Sequence, residues 1–270
     1  MSRVKISIVT IVLNDPIGLE VTLRSCLPLK NLMGDAYEHI VVDSSPEKHR
    51  ELRDHSEFSY IKWMESSPQG IYPALNLGSR MATGRWLWHL NARDCLMNSD
   101  ELFSILMSLE EESAEIIFSP VVLLRENSII KKEIPDPIFK KNLIGQISLC
   151  HQGVLVSKDL FLRFNGFTET FRYLGDYDFW VRAYNSKILT QYINNFFAGY
   201  DAEGVSAQNA KGVVLEYFQI LKQIHLNPRE KICGYFKFSL MFIKYFILFP
   251  FLKTARIYKI SKWAYRFIKS

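Results

Sequence analysis

"VKISIVTIVL", residues 4–13, is β-branched or apolar at nearly every position, the pattern of a strand buried on both faces of a mostly parallel sheet. Asn14, Asp15, Pro16 and Gly18 then break the run, and apolar residues return with helical spacing from Leu19 to Leu27. The same strand, loop and helix recur down the chain. "EHIVVD" (38–43) leads into a polar helix from Pro46, "YIKWM" (60–64) into a helix over Ile71 to Met81, and "RWLWHL" (85–90) into a helix over Ser99 to Glu112. Strands alternating with helices at this spacing predict right-handed βαβ crossovers and a doubly wound, mostly parallel α/β sheet flanked by helices.

After Glu115 the rhythm changes. "EIIFSPVVLL" and "SIIKKEI" are β-like, "GVLVS" is a further strand, helices begin at Lys158 and near Asp176, and "TQYINNFFAGY" reads as a late strand. A chain of 270 residues, 48% apolar and 23% charged, can bury one large core with an appendage, so a main domain is expected over residues 1–205 and a helical region over 206–270.

Charge supports that division. From Arg229 onward ten basic residues stand against Glu230 alone, a charge of +9, which leaves −4 for residues 1–228 out of the total of +5. Aromatics interleave with those cations in "YFKFSLMFIKYFILFPFLKTARIYKISKWAYRFIKS", but Lys237, Lys244 and Pro250 interrupt it short of the roughly 20 apolar residues a spanning helix needs. The pattern fits a helical region lying on an anionic membrane surface; packing of the aromatics on the main domain is the competing reading. Nucleic acid is not expected as a partner, because no nucleic-acid module accompanies the charge. Cys26, Cys95, Cys150 and Cys233 are scattered without C-x-x-C pairing, against zinc or a disulfide framework. The first residues run through Arg3 and Lys5 into a strand without the form of a secretory leader, so a cytoplasmic location is expected.

In open α/β sheets, ligands bind beyond the carboxyl ends of the strands, where Asn14, Asp43 and Asn91 to Asp94 fall. Neither G-x-G-x-x-G nor G-x-x-x-x-G-K-[ST] occurs, which disfavours a dinucleotide dehydrogenase and a P-loop phosphotransferase. A nucleotidyltransferase is discounted too, since "TIVLNDPIG" has no basic, Gly-rich phosphate loop. Asp94 beside Asn91 could anchor Mg²⁺ or Mn²⁺ carrying a diphosphate, although an Asp after a strand more often serves a turn. In "GDYDFWVRAY" (175–184), Asp176 and Asp178 could cap a helix or face a cleft. In "LCHQGVLV", His151 and Gln152 could be structural or could donate to a phosphate.

Taken in order, "SIVTIVLND", "HIVVDSS", "GIYPALNLGSRMATGRWLWHLNARD", "HQGVLVSKDLFLRFNGF" and "YLGDYDFWVRA" resemble family 2 glycosyltransferases of the GT-A fold, over about residues 5–200. The similarity is to bacterial members that build surface polysaccharides such as lipopolysaccharide O-antigen. The resemblance implies inverting transfer of a sugar from a UDP- or GDP-linked donor to an acceptor hydroxyl; with the basic aromatic tail, the expected setting is the inner face of the cytoplasmic membrane and the expected acceptor a glycan or lipid-linked glycan. It implies that Thr10, Asn14 and Asp43 hold base and ribose, that the segment from Gly70 to Asn76 closes over the nucleotide, and that Asp94 binds the metal, Mg²⁺ or Mn²⁺. Asn91 and Arg93 would lie against the donor, as would His151 and Gln152 against its diphosphate or sugar. Asp176 matches the catalytic base, with Asp178 the fallback. The sequence departs from the family at Arg93, where an acid or Gly is common, at Pro68 and Gln69, where Asp and Lys are common, and at Pro73, where Asp is common. Those departures keep open a second class of function, a catalytically inactive domain serving as a membrane-attached scaffold.

Overall fold

The computed structural model describes residues 4–109, 114–125, 128–143, 149–186, 188–201, 204, 209–224 and 227–248. The chain divides into two compact units, Met1–Gly204 and Val205–Ser270.

In the first unit the repeated strand-and-helix rhythm builds a seven-stranded sheet. Its strands are β1 (Ile6–Val12), β2 (Tyr37–Asp43), β3 (Lys62–Glu65), β4 (Trp86–His89), β6 (Ile116–Phe118), β9 (Val154–Ser157) and β10 (Thr190–Tyr192). They lie in the order β10-β6-β9-β4-β1-β2-β3, and β9 alone runs against its neighbours. The order reverses between β1 and β4, whose carboxyl ends open the crevice in which such sheets bind ligands. Ile6, Ile8 and Val9 of β1 and Ile40, Val41 and Val42 of β2 are fully buried, as a strand covered on both faces requires.

Helix α1 (Pro16–Met33) starts at Asp15, whose side chain accepts from Gly18 N, and runs past the expected end near Leu27. Pro28 lies inside it. Burial of Leu29 and Met33 against the sheet, worth about 1.5–3 kcal/mol per fully buried side chain, outweighs the hydrogen bond lost at Pro28. Further helices are α2 (Pro46–Asp54), α3 (Ile71–Met81), α4 (Ser99–Ser108), α5 (Phe139–Leu143), α6 (Lys158–Arg163) and α7 (Gly175–Asn185). Helix α4 ends at Ser108; residues 110–112 of the expected helix lie outside the described residues.

Two apolar runs that look continuous in sequence are each divided between two sheets. "EIIFSPVVLL" breaks at Ser119 and Pro120, with β6 in the large sheet and β7 (Val121–Arg125) in a smaller one of order β5-β11-β7-β8, where β5 is Cys95–Leu96, β8 Ser128–Glu133 and β11 Ala198–Asp201. "TQYINNFFAGY" divides likewise into β10 and β11. The two runs cross side by side, β10 parallel to β6 and β11 parallel to β7. Pro120 has no N–H for a ladder, so the first run must leave the sheet there. The four cysteines are all free thiols.

The second unit contains α8 (Ala210–Gln223) and α9 (Pro228–Phe242), followed by a π-helical turn over Ile243–Leu248. A capping box of Asn227 and Glu230 starts α9, and Phe218 stacks on Phe238 with ring centroids 4.4 Å apart. Among the described residues no helix is long and apolar enough to cross a membrane. The basic run from Lys253 to Lys269 lies outside the described residues.

Candidate active site

The carboxyl end of β4 is shaped by backbone bonds to β1, Leu90 N to Val9 O and Ala92 N to Ile11 O, after which the chain turns sharply through Asn91 to Asp94. Arg93 takes a positive φ of 79° in that turn. The Thr22 hydroxyl of α1 donates to Asp94 O at 2.7 Å and fixes the turn from below. Asp94 is thereby folded inward. Its side chain is buried, and Oδ2 accepts from Asn91 N at 2.9 Å and from Gln152 Nε2 at 3.0 Å. Burial pushes this carboxyl up to about 6, while the charge of His151 and those two hydrogen bonds hold it from rising further.

From Asp94, through the Asn91 backbone N–H it accepts and then through side chains, a connected line crosses to α7. Asn91 Nδ2 stands 3.2 Å from His151 Nε2, His151 Nδ1 stands 3.1 Å from Asp176 Oδ2, and Tyr72 Oη donates to Asp176 Oδ1 at 3.0 Å. Since a carboxylate only accepts, the neutral imidazole in this line carries its proton on Nδ1 and receives the Asn91 amide at Nε2. Burial opposes charge on His151, but the hydrogen bond and charge of Asp176, aided by Asp94, outweigh it and raise its pKa. A Cβ at Gly175 would stand 2.7 Å from the Tyr72 ring, so a glycine before Asp176 is what lets that ring lie against the start of α7.

The other candidates divide into those at the crevice and those inside the core. Asn14, at φ 56°, ends β1 and its N–H donates to Ser45 Oγ at 2.7 Å. Asp43 ends β2; its Oδ1 accepts from Ser45 N and bonds His49 Nδ1, each at 2.8 Å. Gly70, at φ 121°, opens α3 in a conformation that disfavours any side chain. Arg93 lies at the rim, its Nε 2.5 Å from Asp15 Oδ2 and its Nη1 3.7 Å from Asp201 Oδ2.

Thr10, Asn76 and Asp178 are not brought to the line. Thr10 is fully buried within the sheet, bonded to His39 Nε2 at 2.9 Å. Asn76 grips the loop after α6, donating to Phe167 O and accepting from Phe167 N, both at 2.8 Å. Asp178 is buried, accepting from Arg182 Nε at 2.9 Å and from Thr168 Oγ1 at 2.6 Å. Sequence reasoning missed Tyr72, Thr22 and the two acids that hold Arg93. Tyr72 lay within the Gly70 to Asn76 segment; only its pairing with a residue far along the chain was illegible.

Among the described residues no group of three or more His, Cys, Asp and Glu could hold a metal ion by itself. The donors present suit a hard cation that takes one carboxylate and completes its shell with water and substrate oxygens. Asp94 supplies the carboxylate, and Asn91 Oδ1 is a buried acceptor without a hydrogen-bond partner among the described residues. Asp15 and Asp201 balance the charge of Arg93.

Residues 7–147 match the family model for glycosyl transferase family 2. Over 140 residues the chain is 29% identical to a PGL/p-HBAD biosynthesis glycosyltransferase of Mycobacterium tuberculosis (strain ATCC 25177 / H37Ra), covering 50% of this chain and 52% of that protein. An uncharacterized glycosyltransferase of Haemophilus influenzae is 25% identical over 166 residues, 58% of this chain and 55% of its own. The matches thus span about half the length of these curated relatives. Among solved structures, S. aureus TarS 1-349 in complex with UDP superimposes with a TM-score of 0.66 at 13% identity, covering 96% of this chain and 78% of its own. The mannosyltransferase PcManGT of Pyrobaculum calidifontis in complex with GDP-Man and Mn²⁺ gives 0.63 at 16% identity, covering 90% and 71%. The GT-A arrangement expected from the sequence is the fold found.

Proposed function

The chain belongs to glycosyl transferase family 2, and on that premise we propose that it transfers a sugar, with inversion, from a nucleotide-diphosphate donor to an acceptor hydroxyl. The observation that supports this reading is the hydrogen-bonded line from Asp94 through Asn91 and His151 to Asp176, which links two acids beside the β1/β4 switch point. Asp176 is the base: its carboxylate takes the proton of the acceptor hydroxyl as that oxygen attacks the anomeric carbon from the face opposite the leaving diphosphate. Asp94 and Asn91 would hold Mg²⁺ or Mn²⁺, which when bound neutralises charge developing on the leaving group. Asn14 and Asp43 mark the end of the crevice for base and ribose. UDP- and GDP-sugars are the donors to try first, because TarS is solved with UDP and PcManGT with GDP-Man.

The acceptor in this reading is a lipid-linked glycan of surface polysaccharide synthesis, met at the inner face of the cytoplasmic membrane. Support for that location is the basic C-terminal charge and the exposure on α9 of Ile232, Phe236 and Leu240, 70%, 64% and 53% exposed, which recur every four residues along one side of the helix.

Release of nucleotide diphosphate from a panel of UDP- and GDP-sugars, with Mg²⁺ or Mn²⁺ and anionic vesicles, tests the proposal in the wild type, Asp94→Ala and Asp176→Asn. Turnover of one donor, lost in both variants, is the expected result. No turnover of any donor, together with no donor binding by calorimetry, would overturn it in favour of the scaffold class.

A further inference from the structure

Two adjacent residues, His151 and Gln152, each hold one of the site's two acids: His151 Nδ1 bonds Asp176 Oδ2, and Gln152 Nε2 donates to Asp94 Oδ2. Their backbone is held in a single turn of 3-10 helix, closed by Gly153 N to Cys150 O and pinned where Trp88 Nε1 donates to Gln152 O at 2.8 Å. We infer that His151 is a positioning residue, which orients the carboxylate of Asp176 from the turn that also grips Asp94 and leaves the donor's diphosphate to other groups. This rests on the proposal that Asp176 is the base.

The hydrogen-bond inventory argues for it. Both nitrogens of the His151 ring have partners inside the protein, Asp176 on one side and Asn91 on the other. A neutral imidazole has one donor and one acceptor, so neither remains for a phosphate oxygen. On the carboxylate, Oδ1 already accepts from Tyr72 Oη and from Tyr177 N, whereas among the described residues Oδ2 meets only His151. A carboxylate has about four acceptor positions, so the one left for an incoming hydroxyl is on Oδ2, and its direction is set by where His151 stands. Gln152 fixes the second acid relative to the first through one peptide bond.

Replacing His151 by Asn and by Gln separates the two roles, because the Asn amide nitrogen falls near the place of Nδ1 and the Gln amide nitrogen near that of Nε2. Positioning through Nδ1 predicts that His151→Gln lowers kcat on the order of 10–100-fold, the range for partners that orient a reactive group, with the donor KM unchanged, and that His151→Asn restores most of it. A raised donor KM, or better rescue by Gln than by Asn, would overturn the inference. A readout independent of turnover is the ¹⁵N–¹H spectrum of the imidazoles in the full chain. His151 should show the Nδ1–H form, lose it in Asp176→Asn, and stay unmoved by UDP or GDP with Mg²⁺. An imidazole that responds to the nucleotides and ignores Asp176→Asn would refute the assignment. Should wild type turn over no donor, the function reading fails while this spectrum still decides the role of His151.

Discussion

The second residue of α3 and the second residue of α7 are hydrogen-bonded: Tyr72 Oη donates to Asp176 Oδ1 at 3.0 Å. Tyr72 is itself buried, so its hydroxyl cannot turn to water instead. Removing that hydroxyl in Tyr72→Phe takes one of two donors from Oδ1 and frees the carboxylate to rotate. A single such bond is worth about 1 kcal/mol, which corresponds to a fall in kcat of roughly 5-fold with donor affinity unchanged. Gly175→Ala should do more damage by the same route, since the added methyl must displace the Tyr72 ring. Steady-state kinetics with the donor identified in the turnover screen checks both.

The two acids at the start of α7 should behave as opposites. Asp178 is enclosed and paired with Arg182, whose side chain keeps 29% exposure. Asp178→Asn leaves that guanidinium its bonds to Phe164 O and Gly166 O but no counter-charge, and lowers stability by about 2 kcal/mol, less than the 3–5 kcal/mol of a fully buried pair because water reaches Arg182. Asp176→Asn keeps the fold and abolishes turnover. Thermal melts beside activity assays separate the pair; equal melts for the two variants would sink the distinction.

Local pattern carried the sheet but not the contacts that complete the site. Helix α3 falls at its expected bounds, and β1, β2 and β4 differ from theirs by a residue or two, because each strand's burial is written in its own residues. Pro120 marks where "EIIFSPVVLL" must leave its sheet, but that its second half joins a different sheet, and that "TQYINNFFAGY" divides beside it, was illegible because only pairing between the two runs decides it. Asp94 and Asp176 stood out as acids beside strand and helix ends. The burial of Thr10 did not, because a threonine in a strand reads the same whether its hydroxyl faces a crevice or a histidine on the neighbouring strand, 29 residues along the chain.

Asp94 should stabilise the protein when it is neutralised. Burial raises its carboxyl from an ordinary 3.8 to about 6, so at neutral pH the folded state carries a charge that the unfolded state tolerates better. About two pH units correspond to roughly 3 kcal/mol, present above pH 6 and relieved as pH falls toward 3.8. Asp94→Asn should therefore melt higher than wild type at pH 7.5 while losing donor turnover, and Mn²⁺ should raise the melting temperature of wild type but not of the variant. A variant that melts lower at pH 7.5 would show that the two hydrogen bonds to Oδ2 outweigh the burial of its charge.

Acid should nonetheless unfold the protein, through two histidines that the site does not use. His39, between Thr10 and Tyr37, and His89, bonded to Ser79, are fully enclosed, and burial holds both down to about 3. The sign follows from which state takes the proton. Below pH 6.5 the unfolded chain protonates both rings while the folded chain protonates neither, so stability falls by about 1.4 kcal/mol per pH unit for each, until pH 3. Asp94 acts oppositely between 6 and 3.8, gaining about 1.4 kcal/mol per unit, which leaves a net loss of about the same size. Urea midpoints measured between pH 6 and 4 should show that slope. Replacing Asp94 by Asn should roughly double it, whereas replacing His89 by Gln should nearly cancel it. Thr10→Val, which removes a buried hydroxyl from His39, should lower stability by about 1 kcal/mol and leave donor binding as it was, because that hydroxyl never reaches the crevice.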